Sequence, residues 1–145
     1  MRFRTTLIIL LLVIGIKTAD AQSVSKISDS DKSKIIKSIL SEEFPIKDAD
    51  TICISTENIP KALIEQFPKI DGMKFILAAP ENIREESGCG VENYFFGKFE
   101  RKGSSILVYF GRNYSDMSSA ARRYSYRKVK GKWRGKIAGF FLSRT

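Results

Sequence analysis

Residues 121–136 read ARRYSYRKVKGKWRGK. Eight of the sixteen are Lys or Arg, three are aromatic and none is acidic. In the first half, Tyr124, Tyr126, Lys128 and Lys130 alternate with Arg123, Ser125, Arg127 and Val129. That is the period of two by which a β-strand turns successive side chains to opposite faces. Beyond Gly131, Trp133, Ile137 and Phe141 share one parity, and Arg134, Lys136, Phe140 and Leu142 share the other. A glycine between two such runs supplies the backbone freedom of a tight hairpin turn. The stretch predicts the last hairpin of an antiparallel sheet, with strands over 122–130 and 132–142 and Trp133 pointing to the core.

Upstream, Ile106-Leu107-Val108-Tyr109-Phe110 is apolar at both parities, as in a central strand covered on both sides. Before it, Phe95 and Phe99 share one face of a strand over 92–101, and Tyr94, Phe96, Lys98 and Glu100 share the other. Lys102-Gly103-Ser104 is a turn, and residues 113–121 form a loop. Consecutive strands with short connections pair as neighbours, so residues 92–142 predict a four-stranded meander.

The N-terminal half has a different texture. Ile35, Ile36, Ile39, Leu40 and Phe44 recur at helical spacing, which predicts a helix over 30–43 capped by Ser30 or Asp29 and stopped by Pro45. Residues 51–55 and 74–78 are short β-branched or apolar runs and are read as strands. Between them Pro60 opens a second helix over 61–67, ended by Pro68. The two Phe-Pro helix stops lie 23 residues apart and are read as shared punctuation, not as a duplication. The expected fold class is therefore α+β: two N-terminal helices packed on a twisted sheet dominated by a four-stranded antiparallel meander. In element order, and in a late-strand tryptophan such as Trp133, this loosely resembles cone-shaped folds of the nuclear-transport-factor-2-like or cystatin-like kind, and it carries no motif of either.

The first residues, MRFRTTLIILLLVIGIKTADAQ, have a basic start at Arg2 and Arg4 and an apolar run from Leu7 to Ile16. Ala19-Asp20-Ala21 follows as a small-x-small site. This is the layout of a secretory signal peptide over 1–21, cleaved after Ala21, and it implies a secreted or periplasmic protein. A membrane span needs about 20 apolar residues, and Lys17 ends this run too early. No later segment could span a bilayer. Residues 22–145 suit one α+β domain. In an oxidising compartment Cys53 and Cys89, 36 residues apart, are expected to form a disulfide.

Charge divides unevenly. Residues 22–92 hold 9 basic and 13 acidic side chains, a net of −4, whereas residues 93–145 hold 13 basic and 2 acidic, a net of +11. The chain has no histidine, which removes Ser-His-Asp and Cys-His chemistry and the commonest zinc ligand. No phosphate-binding loop, dinucleotide fingerprint or calcium loop is present. Glu42-Glu43 and Glu85-Glu86 are sequence neighbours, which on a helix do not face each other. No enzyme activity, metal or cofactor is expected. Asn113-Tyr114-Ser115 is a glycosylation sequon in the expected loop.

The functional expectation falls on the cationic hairpin. Arg123, Tyr124, Tyr126, Arg127, Lys128, Lys130, Arg134 and Lys136 are the candidate anion- or partner-binding residues, with Phe96 adding contact area. Aromatics interleaved with cations suit single-stranded nucleic acid, but an exported protein rarely meets it. An anionic polymer, a lipid headgroup or an acidic protein fits the location better. The plainer reading is the solvated face of a half-covered sheet, with lysines guarding an edge. Two alternatives remain. One is a small-molecule binder with a cone-like pocket of Phe95, Phe99, Val108, Phe110 and Trp133. The other is an immunity- or inhibitor-type partner of a secreted protein.

Overall fold

The computed structural model describes residues 26–44, 51–86, 88–90, 92–115 and 117–144. The expected signal peptide over 1–21 lies outside the described residues. Among the described residues no helix is long and apolar enough to cross a membrane.

Helix α1 (Asp29–Glu43) is capped one residue earlier than expected: the Ser28 hydroxyl accepts a hydrogen bond from the Asp31 N–H at 3.1 Å. Asp29 and Asp31 place negative charge on the first turn, where the helix dipole favours it. The apolar stripe is as spaced: Ile35, Ile36, Ile39 and Leu40 are fully buried. Strand β1 (Thr51–Ser55) follows, then α2 (Lys61–Glu65), β2 (Lys74–Ala78), β3 (Asn93–Phe96), β4 (Glu100–Lys102), β5 (Ser105–Ser115), β6 (Ser118–Val129) and β7 (Lys132–Arg144).

The expected architecture is overturned. Of the described residues 48% are strand and 18% helix, in one mixed sheet of seven strands with a single substantial helix. The sheet order is β2-β1-β3-β5-β6-β7, with β4 also paired to β5. β1 runs parallel to both β2 and β3, and the remaining pairs are antiparallel. The physical reason lies in the connections. A crossover between β1 and β2 is long enough to return the chain in the same direction, which a hairpin cannot do. The crossover helix α2 is five residues because the chain leaves helical geometry at Gln66, ahead of Pro68. The strand expected over 92–101 divides into β3 and β4, both on the same side of β5. The joint is at Gly97, whose N–H donates to the Tyr109 carbonyl at 2.8 Å. The loop expected over 113–121 is mostly strand, since β5 runs on to Ser115 and β6 begins at Ser118.

In an antiparallel pair, residues directly opposite share a face. The pairs Ile106↔Tyr126↔Gly135 and Val108↔Tyr124↔Ile137 therefore lie on one face, and α1 covers it. Of these, Ile106, Val108, Tyr124 and Tyr126 form the main core with Ile52, Ile54 and Phe96. Gly135 is required here, because a Cβ would lie 2.4 Å from the Tyr126 ring. On the opposite face, Cys53, Ala78, Ile83 and Cys89 make a second, small cluster over the parallel half. Cys53 and Cys89 are disulfide-bonded, with Cα atoms 5.7 Å apart. A disulfide is consistent with an extracellular protein.

Candidate functional site: the open face of the antiparallel half

Behind β5, β6 and β7, on the face away from α1, no described element packs. The register assembles that face in rows. Leu107, Ser125 and Lys136 form one row, Ser105, Arg127 and Arg134 the next, and Val129 and Lys132 a third. Lys102 and Glu100 continue the rows through β4. Arg127, Lys132, Arg134 and Lys136 are all exposed. Among the described residues none of these four cations forms an ion pair. Arg127 sits directly opposite Arg134, an arrangement of like charges that destabilises a strand pair. The Arg127 Nε donates to the neutral Ser104 hydroxyl at 3.0 Å, which leaves its charge uncompensated.

The eight expected site residues therefore do not lie on one face. Arg127, Arg134 and Lys136 come together on the open face. Tyr124 and Tyr126 share the other face and are fully buried beneath α1. Burial pushes both phenols above their ordinary range; for Tyr124 the hydrogen bond to the Glu43 carboxylate adds to it. Lys128 is on the helix face too, 3.8 Å from Asp31 and over the Trp133 ring. Lys130 is in the turn itself: with φ 48° beside Gly131 at 77°, both turn residues are left-handed, as a two-residue hairpin of this type needs.

Arg123 is on the open face but is half-buried and already engaged. The pairing of β6 with β7 slips between Arg123 and Tyr124: Tyr124 faces Ile137, and Arg123 faces Gly139. Ala138 is thus an extra residue on β7, and its carbonyl accepts a hydrogen bond from the Arg123 guanidinium at 3.1 Å. This bulge reverses the parity of β7. Phe140 and Leu142 pair with Arg122 and Ala120 and lie on the helix face, whereas Phe141 pairs with Ala121 and lies on the open one. The strict alternation read from the sequence places them the other way.

Acid partners go to the helix face. The Arg122 Nη1 donates to both Glu43 carboxylate oxygens, at 2.8 and 3.0 Å, Arg112 pairs with Glu92, and Lys128 with Asp31. The hydrogen bonds that the two guanidiniums donate to Glu92 and Glu43 hold them firmly protonated, raising both above the ordinary value. A groove of about 300 Å³ beside the end of α1 is lined by Tyr94, Phe110, Arg112, Arg122, Phe140 and Leu142. Its two cations are the ones already paired.

The apolar residues expected to line a pocket divide between the core and the other face. Val108 and Phe110 are buried under α1, Phe99 and Trp133 pack against the same core, and the Phe95 ring lies over Gly111, which has no room for a Cβ. Phe96, expected to add contact area, is 1% exposed. Asn113 is on β5, not in a loop, and its amide nitrogen donates to Asn93 at 3.0 Å. Among the described residues no group of three or more His, Cys, Asp or Glu side chains could hold a metal ion. Lys132 and Lys102 share the open face without being among the expected residues; parity counted back from Arg134 places the first there. No family model matches this chain, and neither a curated protein nor a solved structure matches it.

Proposed function

We propose that this is an exported, non-catalytic binding protein that grips an anionic polymer or surface with the open face of its antiparallel half. Arg127, Arg134, Lys136 and Lys132 supply the charge. The observation that carries the reading is the contrast between the two faces. On the helix face Arg112, Arg122 and Lys128 each have a carboxylate. On the open face Arg127 opposes Arg134 with no acid partner among the described residues. Like charges held side by side are relieved by an anion bound across them, so the repulsion within the open face becomes part of the affinity. Export is supported by the leader-like first 21 residues and by the disulfide.

Retention on a heparin column tests the reading. The triple variant Arg127→Gln/Arg134→Gln/Lys136→Gln is expected to elute at clearly lower salt than the parent. Lys61→Gln/Lys69→Gln/Lys74→Gln, equal in charge and far from this face, is expected to elute close to it. Counterion release makes the difference salt-dependent. Equal elution of the two variants would show that only net charge matters and would overturn the proposal.

A further inference from the structure

β7 is the outermost strand of the antiparallel half, and among the described residues it pairs with β6 alone. It is 13 residues long, against five for β2 at the other edge of the sheet. A long strand with a free edge presents a row of unpaired N–H and C=O groups, and proteins usually guard such an edge with charge. The first part of β7 is guarded, by Lys132, Arg134 and Lys136. The second part is not: Ile137-Ala138-Gly139-Phe140-Phe141-Leu142 carries no charge. Phe140, Phe141 and Leu142 are 74%, 54% and 79% exposed, and strand alternation sends them to both faces of the edge, the bulge at Ala138 setting Phe140 and Leu142 on the helix face. Three consecutive large apolar side chains, exposed on both faces beside open backbone groups, are the pattern of a strand that continues into another sheet.

We propose that this segment pairs antiparallel with β7 of a second copy, centred on Phe141, and joins two sheets into one. The identity of the partner follows from charge and parity. A two-fold axis through Phe141 places Phe140 opposite Leu142 of the copy on the helix face, and Phe141 opposite itself on the open face. Every one of these pairs matches faces, as the side-chain period requires. The same axis sends the two cationic runs 132–136 to opposite ends of the joint. A centre nearer Lys136 would set lysine and arginine against each other. The contact is self-complementary and closes as a dimer. A lipid surface fits less well, because Ser115, Ser118, Ser143 and Arg144 lie beyond the phenylalanines at the tip of the sheet. Pairing of this kind does not depend on anion binding, although the joint would bring the two cationic faces onto one side.

Sedimentation equilibrium across a hundredfold concentration range gives the test. The expected result is a mass of two chains, returning to one chain in Phe141→Lys, where each copy would oppose charge to charge. Because Phe141→Lys could unfold, Phe141→Cys provides a second readout. The axis sets the introduced thiol opposite its own copy, so mild oxidation is expected to give a disulfide-linked dimer. Met117→Cys, at the β5–β6 turn, is expected to give none. A single-chain mass at every concentration, a dimer unaffected by Phe141→Lys with no cross-link in Phe141→Cys, or a monomer bound to anionic vesicles through Phe140, Phe141 and Leu142 would each overturn the proposal.

Discussion

Asp31 joins the first turn of the helix to the last hairpin of the sheet. Its carboxylate accepts a hydrogen bond from the Trp133 Nε1–H at 2.8 Å, and the Lys128 ammonium is 3.8 Å away. The Trp133 bond leads the effects that hold its pKa below the ordinary carboxylate range; the Ser28 hydroxyl and the Lys128 charge add to it, and partial burial opposes it. A depressed pKa contributes stability that is present above the unfolded value of about 3.9 and is lost as pH falls through the folded value. Urea midpoints measured from pH 5 down to pH 2 are therefore expected to fall less steeply in Asp31→Asn, which keeps the acceptor without the charge. Asp31→Ala, which leaves the indole N–H without its partner, is expected to cost about 1–2 kcal/mol at pH 7. Identical acid limbs for parent and Asp31→Asn would show that Asp31 contributes nothing through its charge. Trp133 was legible as a core residue from parity alone. Asp31 was not, because nothing in a run of helix residues says which sheet residue its first turn will meet. The same holds for Tyr124 and Tyr126. Alternation groups them correctly, but only the position of α1 decides that their face is the buried one.

At the scale of elements, β7 shows where alternation stops being readable. Up to Ile137 its parity follows the sequence, and beyond the bulge it is reversed, because one residue was inserted without any change of composition. The parallel pairing of β1 with β2 and β3 was hidden for a related reason. Both strands are visible as short apolar runs, but a run does not carry its direction, and the connecting segment that sets it carries only a helix signal. Gly135 is an element-level constraint that can be tested. It sits opposite Tyr126 on adjacent strands, and the ring occupies the space above it. Gly135→Ala is expected to lower stability by about 1–3 kcal/mol through overpacking. Combined with Tyr126→Leu, the loss is expected to be smaller than the sum of the two single losses, since the smaller side chain leaves room for the methyl. Denaturant unfolding of the four proteins of this cycle checks it, and strict additivity would contradict a clash at this site.

At the scale of the whole molecule, the chain is two half-sheets fastened differently. The antiparallel half is held by long ladders and by α1, through Tyr124, Tyr126 and Trp133. The parallel half has strands of five residues, and on the face away from α1 it is covered by a segment with little apolar surface beyond Ile83. The disulfide lies in that weaker half, tying β1 to the segment after β2. Its presence was legible from two cysteines and a leader-like start, but its place under the small second cluster was not. Closing a loop across 36 residues removes chain entropy worth about 4 kcal/mol from the unfolded state. Cys53→Ser/Cys89→Ser is therefore expected to lose about that much global stability. Native-state hydrogen exchange should also reveal which half opens first. Amides of β1 and β2 are expected to lose protection at lower denaturant than those of β5 and β6, and the gap should widen without the disulfide. The helix and the long ladders remain intact in the variant, whereas the parallel strands lose the tie that keeps their cover in place. Uniform loss of protection across all seven strands would instead describe a sheet that opens only as one unit.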